Sequence, residues 1–115
     1  MKSYTDLEQS KKLAKILPIE SADMFYRDNG IDVKLIWEHN THKVKYPCWS
    51  LAALLKAVDF STINLHYDNA RTDWVASATI YDSTKHCTKY ESTRAFNLVD
   101  ACYEMIIKLK DLNLL

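Results

Sequence analysis

Five side chains of metal-ligating type are scattered through the sequence: His39, His42, Cys48, His86 and Cys87. The pair His39-x2-His42 would supply two ligands, and Cys48 or the His86–Cys87 pair would close a tetrahedron. The spacing argues against it. No C-x-x-C occurs, and adjacent residues of a strand, as 86 and 87 are expected to be, point to opposite faces. No metal ligand is assigned. Cys48 is the one candidate nucleophile, because it just precedes a helix start, where a thiolate is stabilised. Yet Pro47 and Trp49 on either side of it fit a packing corner, and no family-specific catalytic motif surrounds it. Cys102 falls on an apolar helical stripe and reads as a small buried hydrophobe. Asp59, Asp68, Asp73, Asp82 and Glu91 fall at expected strand ends, but in no spaced motif. No catalytic residue and no cofactor is assigned, and the expectation is a chain without enzymatic activity.

Binding chemistry is better represented. Tyr67, Tyr81, Tyr90 and Trp74, with Lys89 and Arg71, offer rings and cations on which single-stranded nucleic acid could stack, if the tyrosines share an uncovered sheet face. The charge balance opposes this: fifteen basic and fifteen acidic residues give a formal charge of zero, and nucleic-acid binding rests on a net basic footprint. Near-zero charge instead weakens self-repulsion and permits self-association. Seven Tyr and three Trp point the same way, since both types are favoured at interface cores. The candidate interface residues are Tyr67, Tyr81, Val99, Tyr103 and Ile107.

The last three of these lie on the element around which the chain is organised, a helix over 97–113. Asn97 is its N-cap, Asp100 lies in the first turn, and Lys108 and Lys110 lie near the end, all suited to the helix dipole. Glu104 and Lys108 are spaced as an i,i+4 ion pair. Leu98, Ala101, Cys102, Met105, Ile106, Leu109 and Leu112 make an apolar stripe. Val99, Tyr103 and Ile107 make a second row beside it, so the helix is expected to touch two things. The row Leu98, Cys102, Met105, Leu109 matches the alanine-bearing face of a strand over 73–82. The second row is left for the first helix, through Leu13 and Leu17, or for a second chain. Burial of Tyr103 against Leu13 or Leu17 would make that row core rather than interface.

Upstream, Thr5-Asp6-Leu7-Glu8 reads as a capping box opening a helix that Pro18 closes, with Lys11, Lys12 and Lys15 on a solvated face. Residues 22–27 read as extended, Arg27-Asp28-Asn29-Gly30 as a turn, and Ile31-Asp32-Val33-Lys34-Leu35-Ile36-Trp37-Glu38 as an alternating, half-buried strand. Together they make a hairpin across 22–38. Residues 39–45 read as a polar loop or a short returning strand. Ser50 caps a second helix, with Trp49 and Leu54 as a hydrophobic staple. Its core row is Leu51, Leu54, Leu55 and Val58, and its alanine flanks are expected to be deeply buried. Strands follow at 62–67, 73–82 and 86–91, joined by turns at 68–72 and 83–85 as an antiparallel meander. A loop over 92–96 leads to the last helix. The order α-β-β-α-β-β-β-α implies an α+β, two-layer sandwich: an antiparallel sheet with helices packed on one face.

The 115 residues, 48% hydrophobic and 26% charged, fit a single globular domain over 1–115. Three cysteines cannot all pair, and no signal peptide or long apolar run is visible. A reduced, cytoplasmic setting without membrane is expected. The segments PCWSLAALLKAV and NLVDACYEMIIKLKDLNLL, with the opening EQSKKLAKILPIESADM, resemble a family of short proteins of gut bacteria and their prophage-like elements. The closing helix and meander are also loosely similar to small phage-derived α/β sandwich modules. The resemblance implies a bacterial, phage or mobile-element context and assigns no site residue. The functional expectation is therefore a small protein-interaction or self-associating module, whose partner is a second copy or another protein. The alternatives are an enzyme using Cys48 and an accessory protein binding single-stranded nucleic acid on the tyrosine-bearing face.

Overall fold

The structure, a computed structural model, describes residues 2–27, 30–33, 46–57, 63–82 and 85–112. It is an α+β domain, as the element order implies. Helix α1 spans Leu7–Leu13 and is followed by a single 3₁₀ turn, Ile19–Ser21. Strands β1 (Met24–Arg27), β2 (Gly30–Val33) and β3 (Tyr46–Cys48) precede helix α2 (Leu51–Ala57). Then come β4 (Ile63–Asp68), β5 (Asp73–Asp82), β6 (Cys87–Ala95) and the long helix α3 (Leu98–Asp111). The described strands form two antiparallel three-stranded sheets rather than one, in the orders β2-β1-β3 and β4-β5-β6.

Helix α3 lies between two apolar clusters. Ala101, Met105 and Leu109 meet Ala76 and Ala78 of β5, with Ile63, Leu65, Trp74 and Ala95 around them. The two strand alanines let the helix approach the sheet closely, and each buried Met or Leu side chain contributes roughly 1.5–3 kcal/mol. On the other side, Val99, Cys102, Tyr103 and Ile106 pack with Leu13, Leu17, Ala22, Trp49, Ala53 and Leu54. Cys102 thus faces away from the alanine strand on which the sequence places it, and Ala101 takes that position. The second apolar row is likewise core. Val99 is fully buried, Tyr103 is 6% exposed beside Leu13 and Leu17, and Ile107 packs against the same cluster. Val99 and Tyr103 are thus core of the chain itself, packed in one cluster with Leu13 and Leu17, and Ile107 is partly buried at its edge. Ile63 and Leu65 of β4 pack into both clusters, so the helices gather on one face of the second sheet.

Several local expectations shift by a residue or more. The cap of α1 is Asp6, not Thr5: the Asp6 carboxylate accepts from the Gln9 amide, and the Gln9 side chain returns the bond to the Asp6 amide. Thr5 is unavailable because its hydroxyl is fully buried. It shares a 2.8 Å bond with Ser10 and accepts from the Trp49 amide. Pro18 sits beyond the end of α1, which unwinds at Ala14. Pro47 and Cys48 belong to β3, paired with β1, rather than to a helix entry alone. Ser50 does cap α2, its hydroxyl accepting from the Ala53 amide, and it donates in turn to Asp23 from both its amide and its hydroxyl. The alanine flanks of α2 are not both covered: Ala52 is exposed and, with Ala57, faces Glu20–Asp23 across a shallow groove. Strand β6 runs on to Ala95, through residues expected to be loop. The expected strand residues 34–38, the loop 39–45 and Val58 lie outside the described residues.

Candidate interaction surface

Cross-strand register decides which side chains share a face. Directly opposed residues of an antiparallel pair lie on the same side of the sheet, and successive residues alternate. Ile63, Leu65 and Tyr67 oppose Ala78, Ala76 and Trp74, so all six lie on the α3 side. Tyr67 therefore leaves the uncovered face on which the sequence placed it. Its ring meets Trp74 edge to face, with centroids 5.1 Å apart, and it stays 42% exposed at the rim of the core. Tyr81 opposes Thr88, and Thr79 opposes Tyr90. These four lie on the other face, together with Asn64, His66, Asp68, Asp73, Val75, Ser77, Ser92 and Arg94. Among the described residues no helix packs on that face.

The face is mostly polar and divided in character along the strands. At one end, the Arg94 guanidinium bonds Asp68 at 2.8 Å and Asp73 at 3.0 Å. Arg94, with two turn amides, holds the Asp68 carboxyl below its ordinary range. Arg94 was expected in a loop; it joins the face because β6 is longer than its apolar pattern suggests. In the centre, Val75 and Ser77 are buried, and the Ser77 hydroxyl donates to the Asn64 carbonyl. Toward the other end stand Tyr81, 63% exposed, and Tyr90, 66% exposed. They are diagonal neighbours across β5 and β6, a spacing of roughly 7–8 Å. Neither ring nor phenol has a partner among the described residues.

The remaining candidates go elsewhere. Cys48 is fully buried; its thiol donates to the Thr5 carbonyl at 3.4 Å and accepts from the Thr5 hydroxyl at 3.7 Å. Tyr26 donates to the same carbonyl at 2.6 Å. Burial pushes the Cys48 thiol pKa up, in spite of these hydrogen bonds. That is the opposite of an activated nucleophile, whose thiolate must be accessible. Burial alone pushes the Cys102 thiol up to about 11. His86 is not in a strand but in a turn, with φ 52°, and Cys87 beside it is exposed. Among the described residues no three His, Cys, Asp or Glu side chains come together as a metal site, and His39 and His42 lie outside them. Glu91 is paired with Lys108 at 3.0 Å, which takes that lysine from the expected pairing with Glu104. Asp59 and the side chains of Asp82 and Lys89 are not described, and Arg71 is exposed in the β4–β5 turn. Trp74 packs on the helix side and offers no ring to the open face. Of the expected binding set, the structure brings Tyr67 and Trp74 together on the helix side, and Tyr81 and Tyr90 together on the opposite face. No family model matches the chain, and neither does any curated protein or any solved structure.

Proposed function

We propose that this chain is a small non-enzymatic interaction module of bacterial, phage or mobile-element context, acting in the cytoplasm. Its docking surface is the face of β4-β5-β6 opposite α3, and its first partner is a second copy of itself. The observation that supports this most is the pair Tyr81 and Tyr90, exposed and without partners among the described residues, on a face that no described helix covers. Large, rigid rings of this kind supply contact area at low entropic cost. The zero formal charge permits like chains to approach. An enzyme acting through Cys48 is disfavoured by the burial of that thiol. Nucleic acid is disfavoured because Arg94, the cation on this face among the described strand residues, is held by two carboxylates. No helix among the described residues is long and apolar enough to cross a membrane.

Light scattering coupled to size exclusion tests the reading. The mass is expected to rise from one chain toward two as concentration rises. The double variant Tyr81→Ser/Tyr90→Ser is expected to stay at one chain with its thermal midpoint unchanged. A wild-type chain that stays monomeric at high concentration, or a double variant that associates like the wild type, contradicts it. Salt-dependent binding of an oligonucleotide that both tyrosines support would move the function to nucleic acid.

A further inference from the structure

Phe96 lies between the end of β6 and the N-cap of α3 and is 88% exposed, the most exposed of the large hydrophobic side chains among the described residues. It lines a shallow cavity of about 500 Å³, whose walls include Gln9, Thr93, Asp100 and Glu104. The two carboxylates in that wall differ. Asp100 is satisfied: its Oδ1 accepts from the Lys2 ammonium at 2.8 Å and from the Gln9 amide at 2.8 Å, and its Oδ2 from Asn97 at 2.9 Å. Glu104, one turn further along the same row of α3, is exposed and has no ion pair among the described residues, since Lys108 turns to Glu91. The uncompensated charge of the cavity among the described residues is therefore negative, and it shares the cavity with an exposed aromatic ring. Arg94 also lines the cavity, but its guanidinium is spent on Asp68 and Asp73.

A guanidinium is the group that suits both features, because its planar fork matches a carboxylate and its face stacks on an aromatic ring. We infer that the Phe96–Glu104 cavity is a docking site for an arginine side chain presented by a segment of a partner protein. The complementarity is of charge and of chemical type: one carboxylate without an ion pair among the described residues, one exposed ring, and a neighbouring carboxylate that already holds a cation, the chain's own Lys2. The site shares no exposed ring with the face of Tyr81 and Tyr90, so either can fail without the other.

The probe is the peptide acetyl-Gly-Arg-Gly-Arg-Gly-amide, with its citrulline counterpart as the uncharged control, titrated at low salt into the isotope-labelled full chain and followed by amide chemical shifts. Saturable shifts are expected at Gln9 and over 93–104 with the arginine peptide only. Phe96→Ala and Glu104→Gln are each expected to weaken binding about two- to fivefold, and Phe96→Trp to strengthen it, since Trp is the best ring for a cation. Phe96 is so exposed that these variants are expected to fold. Equal shifts with citrulline, shifts confined elsewhere, no binding, or indifference to all three substitutions would overturn the inference. So would concentration-dependent shifts of the same amides without peptide, which would seat a second copy there instead.

Discussion

Cys48, Cys102 and Cys87 share a side chain and differ in what surrounds it, and this orders their reactivity. The first two are buried with raised thiol pKa values, whereas Cys87 is exposed at the start of β6. Only the thiolate reacts, so a mild alkylating agent is expected to label one thiol rapidly and two more only after unfolding. Peptide mass spectrometry identifies the sites, and rapid labelling of Cys48 in the native state would revive the enzyme alternative. The tyrosines separate in the same manner. Tyr103 is packed in the cluster with Leu13 and Leu17. Tyr103→Ala is expected to cost about 3 kcal/mol in urea unfolding, through lost burial and a residual cavity. Tyr81→Ala, on the open face, is expected to stay within about 0.5 kcal/mol. If the two costs were similar, the division between core row and free face would be wrong.

Elements with a strong apolar period were legible in advance, and those without one were not. The alternation of 73–82 placed β5 at its observed bounds, and Asn97 marked the start of α3. Strand β3 was hidden because it is only three residues long and contains proline. The far half of β6 was hidden because Ser92, Thr93 and Arg94 show no apolar alternation. For the same reason Arg94 and the exposed Phe96 were missed as surface features. The face of Tyr67 could be read from its alternation with Ile63 and Leu65, but only the β4–β5 register makes that the helix side. The cap of α1 was displaced because Thr5 and Asp6 are both capping types, and a buried bond to Ser10 claims the threonine. The start of α3 carries a prediction in acid. Partial burial raises the Asp100 pKa, but bonds from Lys2, Gln9 and Asn97 outweigh it, and the net shift is downward. A depressed carboxyl contributes stability above its unfolded value, and that contribution is lost as pH falls through the folded value. Stability is therefore expected to fall below the ordinary carboxylate value of 3.8. In Lys2→Met the Asp100 titration, followed by carboxyl chemical shift, is expected to move up. An unmoved titration would show that Lys2 does not hold the carboxylate in solution.

At the scale of the whole molecule, the two apolar clusters have α3 in common. Its Ala101, Met105 and Leu109 belong to the sheet side, and its Val99, Cys102, Tyr103 and Ile106 to the side of α1 and α2. Neither cluster can lose this helix without exposing the other, so the chain is expected to unfold as one cooperative unit. The tryptophans report the two sides separately: Trp49 is buried in one cluster, and Trp74 packs against the other. With Trp37 replaced by Phe in both cases, Trp74→Phe leaves Trp49 as the reporter and Trp49→Phe leaves Trp74. In each variant the fluorescence midpoint in urea is expected to coincide with the midpoint from far-ultraviolet dichroism. Comparison within one variant removes any loss of stability caused by the substitution itself. Adding Tyr103→Ala, which damages only the α1 side directly, is expected to lower the Trp74 midpoint as far as the dichroism midpoint. If Trp74 kept its midpoint while the dichroism shifted, the second sheet would stand as a separate folding unit. Its open face would then be carried by β4-β5-β6 without support from the rest of the chain.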